Sequence, residues 1–470
     1  MKSRILFATT MFLLGFSVLA ENALPPKPNI VIILSDDMGY ADVGAYGCKD
    51  IPTPNIDSLA KNGVRCTNGY VSGPYCSPTR AALMTGRYQQ RYGCEYLTTW
   101  HGNPGLNLKE TTVAQRLKEA GYVTGIVGKW HLGHTKGYHP LDRGFDEFYG
   151  FLGGGHHYLP LEKKGRVEEY TTPLLRNREE VDERRYLTDA FGDEAVEFVR
   201  RHAAAPFFLY LAFNAVHVPL EVTEKYTSRF PDIKDKRRRT YAAMTAAMDD
   251  AIGRVLEELR AKNLESNTLV FFLNDNGGPL EHNGVNGSRN TPLRGGKGET
   301  WEGGIRVPFI AQWKGVLPAG ATYDKPVIQM DITATALEVA GLPLRPEWQL
   351  DGVNLLPFFA GQNEGTPHQA LYWRLGHLMA IRAGDWKLVT PYDNEDSMGP
   401  PPEDYNFLAK ARVYNLSSDI SEKHELTDKH RDKFRELGEL WSKWNAQSPP
   451  NAPPNGESQK LKGKRQKKED

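Results

Sequence analysis

The segment 74–87 holds the residues whose types and spacing best suit chemistry: Cys76 lies between two prolines and Arg80 follows four positions later. This pattern predicts a turn that opens a helix, in which residues four apart share one face. A helix N-terminus favours anions and lowers a thiol pKa, and an arginine can grip an oxyanion with two hydrogen bonds. The segment therefore predicts a nucleophile beside an anion site, although a cysteine taken alone is more often a buried structural residue.

Side chains with oxygen atoms directly follow two apolar, strand-like runs, 29–34 and 268–273; they are Asp36, Asp37, Asp275 and Asn276. Open α/β sheets bind ligands at the carboxyl ends of their strands, so we expect these residues to meet. Oxygen-only ligands suit calcium or magnesium, whereas zinc prefers histidine and cysteine. An isolated Asp-Asp pair would more often cap a helix or a turn.

The elements that must position these residues alternate between strand and helix. Further strand-like runs lie at 122–127 and 206–213, and helical spacing marks 112–120 and 240–262. Short apolar runs that do not alternate with polar residues are typical of strands buried on both faces of a parallel sheet. We therefore predict an α/β fold with a large, mostly parallel central sheet flanked by helices.

A smaller unit is predicted near the C-terminus. Strand-like segments at 370–374 and 379–389 precede a helical segment at 430–445. The pattern divides the folded chain into an α/β catalytic domain over 21–365 and an α+β subdomain over 366–447. In that subdomain, a tryptophan and an arginine at 373 and 374 are candidates either for sugar stacking or for packing between the two units.

Both ends of the chain are predicted to lie outside the folded units. Residues 1–20 combine a basic start, an apolar stretch and small residues at 18 and 20, which is typical of a secretory signal peptide. The apolar stretch is short for a membrane span. Residues 448–470 lack core-forming side chains and predict a disordered basic tail. We expect a secreted or periplasmic protein with no integral membrane span after signal removal.

Charge and cysteine content exclude other classes. The chain has 58 Lys and Arg against 58 Asp and Glu, so no overall field attracts nucleic acid, and the basic run 236–239 is interpreted as a solvated surface. Four cysteines are too few for a disulfide scaffold. Cys66 lies in an apolar run, where cysteine often acts as a small hydrophobe. Cys48 and Cys94 remain candidates for a disulfide.

Several blocks together resemble one family. Cys-x-Pro-x-Arg at 76–80 with Thr-Gly-Arg at 85–87 resembles the first signature of the type I sulfatases, and 121–131 resembles the second. The resemblance continues in order through Asp-Asp at 36–37, Asp-Asn-Gly at 275–277, and the blocks 293–298 and 301–308. It implies the fold of the alkaline-phosphatase-like superfamily. Tyr75 departs from the family pattern, which usually has an aliphatic or hydroxyl residue there.

The resemblance implies that a formylglycine-generating maturation enzyme oxidises Cys76 to formylglycine (3-oxoalanine). One hydroxyl of the hydrated aldehyde would attack sulfur, and loss of a proton from the second would expel sulfate by C–O cleavage. The same resemblance implies one Ca²⁺ held by residue 76 together with Asp36, Asp37, Asp275 and Asn276. Asp275 would also take a proton from the attacking hydroxyl.

The resemblance also implies roles for five further residues. Arg80, Lys129 and Lys297 would clamp the sulfate oxygens and stabilise charge in the transition state. His131 would deprotonate the second hydroxyl. His217 would bind sulfate and, with Lys297, protonate the departing alcohol. Each histidine follows a strand-like run, which distinguishes it from an ordinary core histidine.

Hydrolysis of sulfate monoesters is the leading hypothesis, on sulfated carbohydrates in preference to aryl sulfates because the protein is expected to be exported. One alternative is a phosphate or phosphonate monoester hydrolase of the same superfamily. The oxygen-rich ligand set disfavours the two-zinc sites of many such enzymes. A second alternative is a non-catalytic protein that binds sulfated glycans, which the complete set of catalytic positions disfavours.

Overall fold

The computed structural model describes residues 27–99, 104–160, 169–280, 285–402 and 404–449. The predicted signal peptide and nearly all of the predicted basic tail lie outside these ranges. In the part of the chain that the structure describes, every helix is too short or too polar to span a bilayer.

Ten strands of the described residues form one large sheet. They are β1 (Asn29–Ser35), β2 (Val64–Cys66), β4 (Val123–Lys129), β5 (Glu147–Phe151), β6 (Leu175–Arg176), β7 (Glu179–Glu180), β8 (Phe207–Ala212), β9 (Thr268–Asn274), β10 (Phe309–Gln312) and β11 (Ala321–Tyr323). A small pair consists of β3 (Gly69–Tyr70) and β12 (Val327–Ile328), and a third sheet of β13 (Leu371–Leu375), β14 (Leu378–Ala383), β15 (Trp386–Val389) and β16 (Arg412–Asn415).

The helices of the described residues are α1 (Pro54–Lys61), α2 (Cys76–Thr85), α3 (Val113–Glu119), α4 (Leu187–His202), α5 (Glu224–Thr227), α6 (Lys236–Ala261), α7 (Glu302–Ile305), α8 (Met330–Val339), α9 (Leu356–Phe359) and α10 (Arg431–Asn445). The strands and long helices predicted from the sequence are all present. Their ends shift by a few residues at most.

The large sheet has the strand order β11-β2-β10-β9-β1-β8-β4-β5-β6-β7. The five strands from β9 to β5 run parallel to one another, and antiparallel pairs occur on either side of them. This arrangement confirms the predicted mostly parallel sheet. It also places the carboxyl ends of β9, β1, β8 and β4 next to each other.

Apolar side chains fill both faces of the central strands, as expected for strands without polar alternation. Val31 and Ile33 join a core with α1, α4 and α6, whereas Ile30, Ile32 and Leu34 join a second core with α2, α3 and α8. All five are fully buried. Helices therefore cover both faces of the sheet and hold its central strands away from water.

Helix α6 begins four residues earlier than predicted, because Asp235 caps it by accepting a hydrogen bond from the Arg238 backbone N–H (2.6 Å). Interpretation of the basic run 236–239 as fully solvated was wrong for one member. Arg238 is buried and forms ion pairs with Asp42 (2.6 Å) and Asp50 (2.7 Å). Its charge is paired with residues that precede α6 by nearly two hundred positions.

The candidate disulfide between Cys48 and Cys94 is not formed, and all four cysteines are free. Cys48 packs against the core that includes Val31, while Cys94 belongs to the core that includes Ile32. These two cores lie on opposite faces of the large sheet, so the two thiols cannot meet. Cys66 is buried in β2, as predicted.

The C-terminal layer, residues 371–445, consists of β13–β16 in antiparallel order with α10 packed on them. Trp373 and Arg374 of this layer pack against the part of the fold that is built on the large sheet, which we call the large unit. The Trp373 indole is fully buried and donates to the Val71 carbonyl (2.7 Å). Arg374 forms a two-pronged ion pair with Glu95 (2.8 and 2.6 Å), and both side chains are buried.

Removing the Arg374 charge should destabilise the fold. We expect Arg374→Met to lower the free energy of unfolding by about 3 to 5 kcal/mol, because it leaves the Glu95 carboxylate buried without its partner. The double variant Arg374→Met/Glu95→Met should recover most of this loss. Urea unfolding measures both, with Arg431→Met in an exposed ion pair as the control. If Arg374→Met were as stable as the control Arg431→Met, the Arg374–Glu95 ion pair would not stabilise the contact between the C-terminal layer and the rest of the fold.

Candidate active site

Four adjacent parallel strands bring polar residues to one edge of the large sheet. The residues that end or follow β1, β4, β8 and β9 are Asp36 and Asp37, Lys129 and His131, His217, and Asp275 and Asn276, respectively. All of them are buried. The carboxyl edge of an open α/β sheet is the expected ligand site, and the structure brings the predicted residues together there.

Helix α2 begins at Cys76, and every residue of the helix is buried. The Cys76 Sγ lies 3.6 Å from Asp36 Oδ1. The expectation of a lowered thiol pKa at this helix start was wrong: burial raises the pKa of Cys76 well above its usual value, and the nearby lysine charges do not offset it. The thiol is therefore neutral and a weak nucleophile.

Cations pair directly with the buried carboxylates around Cys76. Arg80 Nε and Nη2 both donate to Asp275 Oδ2, at 3.1 and 2.8 Å. The Lys129 ammonium lies 2.5 Å from Asp36 Oδ2, and all four side chains are fully buried. Burial and the charge of Asp36 raise the pKa of Asp275 to about 6.

Lys297 reaches the same cluster from the loop before α7. Its ammonium lies 2.8 Å from Asp37 Oδ2. Burial alone would raise the pKa of the Asp37 carboxyl, but Lys297 and His217, with the hydrogen bonds from Lys297 and Asn276, together outweigh it and hold this pKa well below its usual range. Burial likewise would lower the pKa of Lys297, yet the surrounding negative charges, that of Asp37 foremost, together raise it, so the ammonium keeps its proton.

The two histidines of the cluster are both neutral, and their hydrogen bonds define which nitrogen carries the proton. His217 Nδ1 faces the Val218 carbonyl (2.7 Å), and His131 Nε2 faces the Thr98 carbonyl (3.0 Å). A carbonyl only accepts, so these nitrogens are the donors. Burial lowers the pKa of His217 to about 3 and that of His131 well below its usual value. The basic atoms are therefore His217 Nε2 and His131 Nδ1.

Asp37 and His131 both have left-handed backbones, each with a φ of 58°. Residues other than glycine seldom adopt this conformation, although aspartate and histidine do so more often than most, and holding a residue there costs about 1 to 2 kcal/mol. Such strain recurs at functional sites, where the surrounding structure holds the backbone in place so that the side chain points where it is needed. Here it turns both side chains into the cluster immediately after a strand.

The donor set fits a hard divalent cation. Potential ligand atoms of Asp36, Asp37, Cys76 and His217 all lie within 4.8 Å of one another. Asn276 Oδ1 is buried and has no hydrogen-bond partner among the described residues, while its Nδ2 donates to Asp37 Oδ1 (2.7 Å). An orphaned amide oxygen next to two carboxylates suits a hard cation such as calcium or magnesium. Asp275, also a predicted ligand, accepts both hydrogen bonds from Arg80 through its Oδ2.

Three further residues, Ser77, Thr98 and Asn286, complete the site. Ser77 Oγ accepts from the Thr98 backbone N–H (2.8 Å), which links the start of α2 to the carbonyl that orients His131. Asn286 Nδ2 donates to the backbone carbonyls of Asp37 (2.9 Å) and Val216 (3.1 Å). Thr98 and Asn286 act through backbone contacts with distant segments, so residue type and spacing do not signal them.

Comparison with known proteins agrees with this geometry. The Sulfatase family model matches residues 28–342. N-acetylgalactosamine-6-sulfatase of Canis lupus familiaris is 37% identical over 402 residues, which cover 80% of this chain and 74% of that protein. Steryl-sulfatase of Homo sapiens is 32% identical over 452 residues, covering 79% and 76%.

A solved structure of Ps i-CgsB in complex with k-i-k-neocarrahexaose superimposes with a TM-score of 0.83 at 38% identity, covering 91% of this chain and 94% of that one. Its similarity extends beyond the matched family segment to the C-terminal layer. The chain therefore belongs to the sulfatase family and is a sulfuric ester hydrolase with the alkaline-phosphatase-like fold.

Proposed function

We propose that this protein is an exported sulfatase that hydrolyses sulfate monoesters of carbohydrates, with formylglycine made from Cys76 as its nucleophile and one Ca²⁺ as its metal. The observation that carries the proposal is the meeting of three cations, Arg80, Lys129 and Lys297, with buried carboxylates around the start of α2. A sulfate ester presents anionic oxygens that such cations bind in a water-excluded site.

Calcium and formylglycine each supply chemistry that the unmodified chain lacks. A Ca²⁺ would be held by Asp36, Asp37, residue 76, Asp275 and Asn276. Its charge would orient anionic oxygens. Formylglycine would supply, as its hydrate, two hydroxyl groups on one carbon. The neutral, buried thiol of unmodified Cys76 gives a physical reason why oxidation is needed.

The proton transfers follow from the tautomers and charges of the side chains. Asp275 is suited to accept a proton from the first hydroxyl at position 76, and His131 Nδ1 from the second. Lys297 keeps its proton and is suited to protonate the departing alcohol oxygen. His217 Nε2 carries no proton in the neutral ring, so we assign His217 to substrate binding and give the larger share of leaving-group protonation to Lys297.

The class of substrate is supported by the relatives. One is named N-acetylgalactosamine-6-sulfatase, and the structure of Ps i-CgsB contains a neocarrahexaose. The first name points to a sulfated sugar and the second to a carbohydrate ligand, whereas the name steryl-sulfatase shows that the family is not restricted to sugars. Export is supported by the signal-like residues 1–20.

The modification of Cys76 can be tested directly. Peptide mass spectrometry of protein made with a maturation enzyme should find formylglycine at position 76. Cys76→Ala should lose at least about a thousandfold in kcat on a small aryl sulfate, because the nucleophile is gone. Cys48→Ala, a half-buried cysteine outside the site, should keep its activity. Full turnover by protein whose Cys76 is unmodified would refute the proposed nucleophile.

Calcium binding can be measured without turnover. Ca²⁺ at about 100 times its Kd should stabilise the wild-type protein by about 2.7 kcal/mol, seen as a rise in Tm. The rise should be much smaller in Asn276→Ala, which loses the orphaned amide oxygen. Asn290→Ala is the matched control, since among the described residues the Asn290 side-chain amide bonds the backbones of Gly278 and Gly295. An equal rise in both variants would contradict the assigned ligand set.

A further inference from the structure

Lys297 lies in an irregular loop, residues 292–301, and not on a strand or helix. On one side the large unit holds this loop. The Lys297 backbone N–H donates to the Gly278 carbonyl (3.1 Å) and the Gly298 N–H to the Pro74 carbonyl (2.9 Å). The loop before α7 thereby contacts both the segment after β9 and the turn before Cys76.

Close backbone packing continues where the loop enters α7. A Cβ on Gly277 would lie 1.7 Å from the Gly303 carbonyl oxygen, so only glycine allows this approach. The Gly277 N–H donates to the Gly304 carbonyl (3.0 Å). This close packing holds the start of α7 against the segment that follows β9.

On its other side the loop is held by the C-terminal layer. Contacts cross from that layer to the loop over its whole length. The pairs are Ser421–Pro292 (2.7 Å), Arg294–Glu422 (side chain to carbonyl, 2.8 Å), Thr300–Met379 (3.4 Å) and the edge-to-face rings of Trp301 and Tyr414 (centroids 5.6 Å apart).

A buried charge cluster fastens the end of the loop. The Lys387 ammonium of β15 lies 2.8 Å from Glu302 Oε1 and 2.8 Å from Glu422 Oε1. The other oxygen of Glu422 accepts from the Glu302 backbone N–H (2.8 Å), at the first residue of α7. All three side chains are fully buried. Two of them come from the C-terminal layer and one from the element that follows Lys297.

Glu422 occupies a left-handed backbone conformation with a φ of 51°. Glutamate rarely adopts this conformation, whereas glycine does so freely. A buried ion cluster is in general no better for stability than apolar residues of the same volume. Both features indicate that the Glu422 carboxylate serves to fix the position of α7 and of the loop before it, and not to stabilise the fold.

We propose that Lys387 and Glu422 are positioning residues for catalysis, which act by holding the loop that presents Lys297 to Asp37 and the substrate. The C-terminal layer would then contribute to catalysis. Lys387 and Glu422 would not touch the substrate and would affect the reaction only through the position of Lys297. The inference rests on the proposed role of Lys297 as proton donor to the leaving alcohol. Small misplacements of a reacting group are costly: about 1 Å can lower a rate by about 100-fold.

The test uses two variants of the mature, calcium-loaded enzyme. Lys387→Met removes the shared ammonium, and Glu422→Gly removes the carboxylate while allowing the left-handed backbone without strain. Leu437→Ala is the control, because it removes a fully buried apolar side chain of α10 from the same layer and leaves every hydrogen bond and ion pair between that layer and the loop in place. Assays run at a temperature at which circular dichroism shows all variants folded. If Lys387→Met does not fold, Glu422→Gly decides the question.

The readout is kcat on two esters with different leaving groups, phenyl sulfate and 4-nitrophenyl sulfate. A misplaced proton donor harms the poorer leaving group more, so each variant should lose about tenfold or more on phenyl sulfate and clearly less on 4-nitrophenyl sulfate. Leu437→Ala should stay within about twofold on both. In a Lys297→Ala background, Lys387→Met should cause no further loss, because it acts through the missing side chain.

The outcomes separate the inference from the function on which it rests. If Lys297→Ala keeps wild-type kcat on both esters, the proposed role of Lys297 is wrong. If Lys297→Ala is impaired but Lys387→Met and Glu422→Gly behave like Leu437→Ala, or lose equally on both esters, the positioning role is overturned.

Discussion

Burial of several charges of both signs at one edge of the large sheet is the constraint on which the rest of the structure depends. An unpaired buried charge is costly, so each carboxylate needs a cation at close range. Asp36 has Lys129, Asp37 has Lys297, and Asp275 has Arg80. These cations come from one strand, one helix and one loop, and the cluster is complete only when all of them have assembled.

Such an assembly needs a rigid frame, and the apolar faces of the central strands provide it. Helices on both faces bury β1 completely, which fixes the points where its neighbours end. Strained backbones at Asp37 and His131 are tolerated because the surrounding packing determines them. The loop that carries Lys297 has no strand of its own, and the C-terminal layer supplies the missing support. Apolar packing thus fixes the positions of the charged side chains.

The sequence predicts most of this site because its residues lie in short motifs or directly after apolar strands, where local pattern determines position. It fails where distant segments decide the outcome. Arg238 is buried because its carboxylate partners lie nearly two hundred residues earlier. Cys48 and Cys94 fall on opposite faces of the sheet. Thr98 orients a catalytic-site histidine through its backbone carbonyl, which leaves no mark on residue type.

The central claim is that residue 76 attacks sulfur and that a second hydroxyl on the same carbon is needed to release sulfate. Cys76→Ser keeps one hydroxyl and removes the other, so the most direct measurement is peptide mass spectrometry of this variant after incubation with an aryl sulfate. The account predicts a stable gain of one SO₃ group on residue 76, with at most one turnover. Continued turnover without an adduct, or an adduct on a different residue, would contradict it.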